Sequence, residues 1–131
     1  MTTLARANLV VFALLATHTI DHAANQPARD LPVTGTFVGV AGFAIITASA
    51  VLALRRSGLA PVAALAAGAT TALGVIAVHI LPVWSEAISD PYWDFGANAL
   101  SWALLLAPLV ASLWLAIAGA RELRAPAVVS V

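Results

Sequence analysis

Apolar residues occupy most of the chain in four long runs, and short polar stretches separate these runs. A run of about 20 apolar residues has the length of an α-helix that spans a bilayer. The runs lie at about residues 4–24, 34–54, 59–81 and 92–119. The pattern predicts an all-α integral membrane protein, a single domain over residues 1–131 that forms a four-helix antiparallel bundle. An outer loop at 82–91 and a flexible tail at 125–131 complete the prediction.

The composition supports a membrane protein and excludes several other classes. Hydrophobic residues make up 62% of the chain and charged residues 9%, whereas a globular domain carries about 25% charged residues. The net charge is zero, which argues against nucleic acid as a partner. Cysteine is absent, so the chain can form neither a disulfide nor a thiolate metal site. The expected environment is the lipid bilayer.

The basic residues indicate how the bundle is oriented. All six are arginines, and five of them fall on one side if the helices alternate in direction: Arg6, Arg55, Arg56, Arg121 and Arg124. The positive-inside rule then places both termini in the cytoplasm. We therefore predict a multi-pass protein of the cell (plasma) membrane, with the 82–91 loop on the outside. A signal peptide at the N-terminus is the competing interpretation of the first run.

Small residues on two helices indicate close helix packing. Gly35 and Gly39 form a small-xxx-small arrangement at the start of the second helix. It is interpreted as packing within the bundle, with a homo-oligomer or a larger membrane complex as the alternative. On the third helix, Gly68 and Ala72 share a face with His79 and should also allow a neighbour to approach.

Polar residues within the runs concentrate at the outer end of the bundle. At about 100° per residue, His18, Asp21, His22 and Asn25 form one stripe of the first helix. His79 lies in the last turn of the third helix. Further polar residues share a face near the start of the fourth: Asp94, Asn98 and Ser101. Because polar side chains in a membrane face the bundle interior or a cavity, we expect three helices to line one outward-open pocket.

The residue types in this pocket favour a divalent transition metal. Imidazoles and a carboxylate are ligands of zinc, copper and iron. The predicted ligands are His18, Asp21, His22 and His79, with Asp21 either coordinating or orienting a histidine. Zinc is preferred over copper and iron, and the predicted supporting groups around the ligands are Asn25, Asn98 and Ser101.

Three functions are compatible with such a pocket. The first is a metal-dependent membrane enzyme, in which Glu86 or Asp94 acts as base towards a bound water. The second is a non-enzymatic accessory subunit, in which the polar cluster is structural. The third is a haem b protein with two histidine ligands. Asp90 precedes Pro91 and is interpreted as a structural helix N-cap, so it is not counted among the site residues.

Overall fold

A computed structural model describes residues 1–25 and 33–125 of the protein. The described residues form four long α-helices and no strand: α1, Thr3–Asn25; α2, Val33–Leu54; α3, Ala60–Val75; and α4, Ala99–Arg124. A π-helix, Ile76–Ile80, continues α3, and a 3₁₀-helix, Tyr92–Phe95, precedes α4. Within the described residues, α1, α2, α4 and the segment formed by α3 with the π-helix are each long and apolar enough to cross a membrane. The all-helical class and the four apolar helices predicted above are confirmed.

The four helices pack as a bundle in which α1 and α3 each contact both α2 and α4. The closest approach is between α3 and α4. A Cβ atom on Gly68 would lie 2.5 Å from the backbone nitrogen of Ala116, and one on Gly119 would lie 2.6 Å from that of Leu65. The predicted role of Gly68 in close packing is confirmed, and the paired positions show that α3 and α4 run antiparallel.

The glycines of α2 have different surroundings. A Cβ atom on Gly39 or Gly42 would meet no atom of the described chain within 4 Å. Close packing of Gly39 against a neighbour within the bundle is therefore wrong for the described residues, because Gly39 borders open space between the helices. The surroundings of Gly35, the 26–32 connection and the 126–131 part of the predicted tail lie outside the described part of the chain.

The start of the fourth helix differs from the prediction. The α-helix begins at Ala99 rather than near residue 92, and it ends at Arg124 rather than near 119. Gly96 has a left-handed backbone, with φ of 65°, which interrupts the helical path. Asn98 then caps α4, because its side chain accepts a hydrogen bond of 3.0 Å from the backbone N–H of Ser101.

Candidate metal centre

The histidines come from helix ends at the same end of the bundle. His18 and His22 are one turn apart on α1, and His79 lies in the π-helix that ends the third span. The backbone N–H of Leu81 donates to the carbonyl of Ile76, five residues earlier, which is the hydrogen bond of a π turn. Such turns are rare and are frequent at functional sites. The three imidazole rings lie in mutual contact, with centroids 5.2–5.9 Å apart.

Asp90 completes the group, and three hydrogen bonds hold it there. Its backbone N–H donates to the carbonyl of Val78 at 2.7 Å. Its own carbonyl accepts from Nδ1 of His79 at 3.0 Å. Its carboxylate oxygen Oδ2 lies 2.8 Å from Nε2 of His22, and the side chain is buried. The loop after the third span therefore returns this carboxylate to the end of the helix that carries His79.

His22, His79 and Asp90 each offer a ligand atom, and these atoms lie within 4.8 Å of one another. Ligand atoms around a tetrahedral zinc stand about 3.3 Å apart, since the bonds to nitrogen and oxygen are about 2.0–2.2 Å long. Small side-chain movements therefore bring the three atoms to coordination distance. A metal between His22 and Asp90 would replace the proton that these two groups share. The group thus fits a transition metal in both donor chemistry and separation.

The hydrogen bond of His79 settles which of its nitrogens is available. A backbone carbonyl can only accept, so Nδ1 of His79 must carry the proton in the bond to Asp90. Nε2 of the neutral ring then keeps its lone pair. Metal-binding histidines commonly donate their other N–H to a carbonyl or carboxylate in this way. This bond therefore prepares His79 for coordination through Nε2.

His18 lies beside the group and contacts Tyr92. The hydroxyl of Tyr92 is 3.2 Å from Nδ1 of His18, and both side chains are buried. Burial is the main cause that raises the pKa of Tyr92 above its ordinary value, and the negative charges of Asp21 and Asp90 raise it further. The phenol therefore stays protonated at neutral pH and is able to donate to His18. The Tyr92 ring also packs against His79, with 5.2 Å between centroids.

The other predicted site residues have different surroundings. Oδ1 of Asp21 accepts a hydrogen bond of 2.8 Å from Asn25, and its buried Oδ2 has no partner within the described part of the chain. Asn98 binds the backbone of Ser101 at the start of α4. Glu86 and Asp94 are exposed, and within the described residues neither belongs to the group of possible metal ligands.

The interpretation of Asp90 as an N-cap is wrong. The short helix that follows has Pro91 at its N-cap position and no side-chain cap, while the Asp90 carboxylate contacts His22. The Asp-Pro pair was an ambiguous signal, because a proline also favours an extended residue before it. The sequence does place Asp90 in the loop that follows the helix of His79, and this was the available clue. The path by which the loop folds back onto that helix cannot be read from the sequence.

An apolar cavity of about 670 Å³ adjoins the group, between α1, α2 and α3. His18, His22, His79 and Asp90 are among its lining residues. The cavity leaves open space beside the histidine–aspartate group. No protein family, curated protein or solved structure matches the chain, so its function is inferred from this geometry.

Proposed function

We propose that the protein is a multi-pass plasma membrane protein that binds one divalent transition metal at the histidine–aspartate group near its outer face. His22, His79 and Asp90 are the ligands, and His18 stands next to them. The observation that carries the proposal is the joint position of two imidazoles and one buried carboxylate within 4.8 Å. The bond from His79 to the Asp90 carbonyl supports it, because it presents the other ring nitrogen to an ion.

Zinc is the metal that this set of donors favours. The chain has no cysteine and one methionine, so the soft sulfur ligands that select copper(I) are absent from the group. Nitrogen and oxygen donors in a tetrahedral arrangement suit zinc. Asp21 is proposed as an outer carboxylate that acts on His18 through its charge, because its hydrogen bond goes to Asn25 rather than to a ring nitrogen.

Three protein ligands leave a zinc ion with one open position, which is the arrangement of catalytic rather than structural sites. The ligand residues line the cavity, so the open position can reach a water or a substrate. This supports a metal-dependent membrane enzyme over an accessory subunit with a closed site. Glu86 and Asp94 contribute little to this proposal, since their exposed side chains lie outside the ligand group.

A metal-free polar network is the second candidate, and specific contacts favour it. His22 pairs with the Asp90 carboxylate, His79 with its carbonyl and His18 with Tyr92. These bonds satisfy one nitrogen of each ring without an ion and tie α1 to the loop. Haem b is disfavoured, because the rings contact one another at 5.2–5.9 Å and leave no gap for a macrocycle between any two of them.

Metal analysis of the purified full-length protein distinguishes the two candidates. We expect one zinc per chain in the wild type and loss of stoichiometric zinc in Asp90→Asn, since the shell loses one of its three protein ligands. Asp94→Asn is the matched control, because it makes the same change at an exposed aspartate four residues away. It should keep the metal.

Two results would contradict the metal site. The first is a folded wild-type protein that takes up no zinc from a buffered solution. The second is full zinc content in Asp90→Asn. The first result, with a lower melting temperature of Asp90→Asn than of Asp94→Asn, would support the hydrogen-bonded network instead. The second would exclude Asp90 as a ligand.

A further inference from the structure

The cavity next to the histidine–aspartate group has one polar end and long apolar walls. The polar end consists of the three histidines and Asp90. The walls come from α1, α2 and the third span, and their larger apolar side chains include Leu15, Phe37, Phe43, Ile45, Val75 and Val78. Three threonines also line the cavity: Thr19, Thr70 and Thr71. The volume of about 670 Å³ falls within the range of small-molecule sites, about 300–1,000 Å³. Its lining suits an amphiphile with a polar head and one apolar chain.

The wall formed by α2 belongs to a helix with exposed apolar side chains. Phe37 and Val40 of α2 are 70% and 62% exposed. A Cβ atom on Gly39, Gly42 or Gly74 would meet no described atom within 4 Å, so these cavity-lining glycines leave open space. They belong to helical segments that are able to span a bilayer. The surroundings of this wall in a membrane are therefore lipid chains.

The charge of the polar end, with a metal ion bound, indicates which atom of a ligand binds there. A divalent ion held by two imidazoles and one carboxylate, that of Asp90, keeps a net positive charge within the ligand group, and the buried Asp21 carboxylate beside His18 offsets part of it. Its open position takes an oxygen ligand, and an anionic phosphate oxygen matches both the charge and the hardness of the site. Water-soluble anions meet the same ion, but they leave the apolar walls without a partner.

We propose that a membrane phospholipid is the ligand of this site, with one acyl chain in the cavity and a phosphate oxygen at the metal. The inference rests on the proposed metal site for its headgroup contact. The acyl chain contact depends on the cavity alone. The two contacts can therefore be tested separately.

Photocrosslinking in vesicles tests the chain contact. The full-length protein is reconstituted in phosphatidylcholine that contains a fraction of phosphatidylcholine with a diazirine at the end of one acyl chain. We expect crosslinks on the cavity residues Phe43 and Val75. Gly74→Leu should lose these crosslinks, because its side chain enters the open space of the cavity. Crosslinks on the exposed α4 residue Val110 should remain.

Ala66→Leu is the matched control, because it enlarges an exposed residue of α3 that is not among the cavity-lining residues. It should keep the cavity crosslinks. If Gly74→Leu does not give a folded protein, Gly42→Leu makes the same test from the opposite wall. Cavity crosslinks that are equal in the wild type and in a folded cavity-filled variant would overturn the proposal.

Zinc content and the phosphorus signal separate this inference from the proposed function. We expect ³¹P relaxation of the bound lipid to change when cobalt(II) replaces zinc in the wild type but not in Asp90→Asn. Stoichiometric zinc without cavity crosslinks would reject the lipid and leave the metal site standing. Crosslinks sensitive to Gly74→Leu in a protein without zinc would reject the metal site and, with it, the headgroup contact.

Discussion

Gly68→Ala should destabilise the bundle at the contact between α3 and α4. The added Cβ atom would lie 2.5 Å from both the backbone nitrogen of Ala116 and the backbone oxygen of Ser112. Ordinary contacts of this kind are 3.4–4 Å long. Because both opposing atoms belong to the backbone, no side-chain rotation relieves the overlap. The two helices must therefore move apart by nearly 1 Å.

The size of the effect follows from this displacement. A gap of 0.5–1 Å removes about a quarter to a half of the dispersion energy of each atom pair, and overpacking of this kind costs about 1–3 kcal/mol. Gly74→Ala is the matched control, since its Cβ meets no described atom within 4 Å. Alanine is the better helix former by about 1 kcal/mol, so this variant should be as stable as the wild type or more stable.

Equilibrium unfolding of the two variants in detergent micelles measures the difference. We expect Gly68→Ala to be less stable than Gly74→Ala by about 1–3 kcal/mol, which is the overpacking cost alone, because both variants gain the same helix propensity. Equal stability of the two variants would refute the close approach of α3 and α4. Far-UV circular dichroism of both folded proteins serves to establish that the helical content is unchanged.

Three further predictions concern the site and the orientation. His79→Ala should abolish stoichiometric zinc in elemental analysis, and full retention would contradict its role as a ligand. Tyr92→Phe should lower the stability by about 1 kcal/mol, because it removes the hydroxyl next to His18, but zinc content should not change; metal loss would place the phenol at the ion. With both termini cytoplasmic, an impermeant maleimide should label Glu86→Cys in intact cells and Gly58→Cys only after permeabilisation, and the reverse pattern would invert the orientation.

The candidate site could be predicted from the sequence only in part. The residues predicted as ligands on the helices include His22 and His79, which lie in the group that the structure brings together. Helical periodicity was sufficient to place His18 and His22 on one face, because both belong to one regular element. Asp21, on the same stripe, was preferred as the carboxylate. The structure instead places Asp90 against His22.

The sequence by itself determined the four apolar helices and the concentration of histidines at one end of the bundle. These features depend on local quantities, namely the length of each apolar run and the period of about 3.6 residues per turn. Only the tertiary structure decided which carboxylate meets the histidines, because the position of Asp90 depends on a loop that folds back onto Val78 and His79. It likewise decided that Gly68, and not Gly39, lies at a close helix contact, since a small residue permits such a contact but only the packing of neighbouring helices creates it.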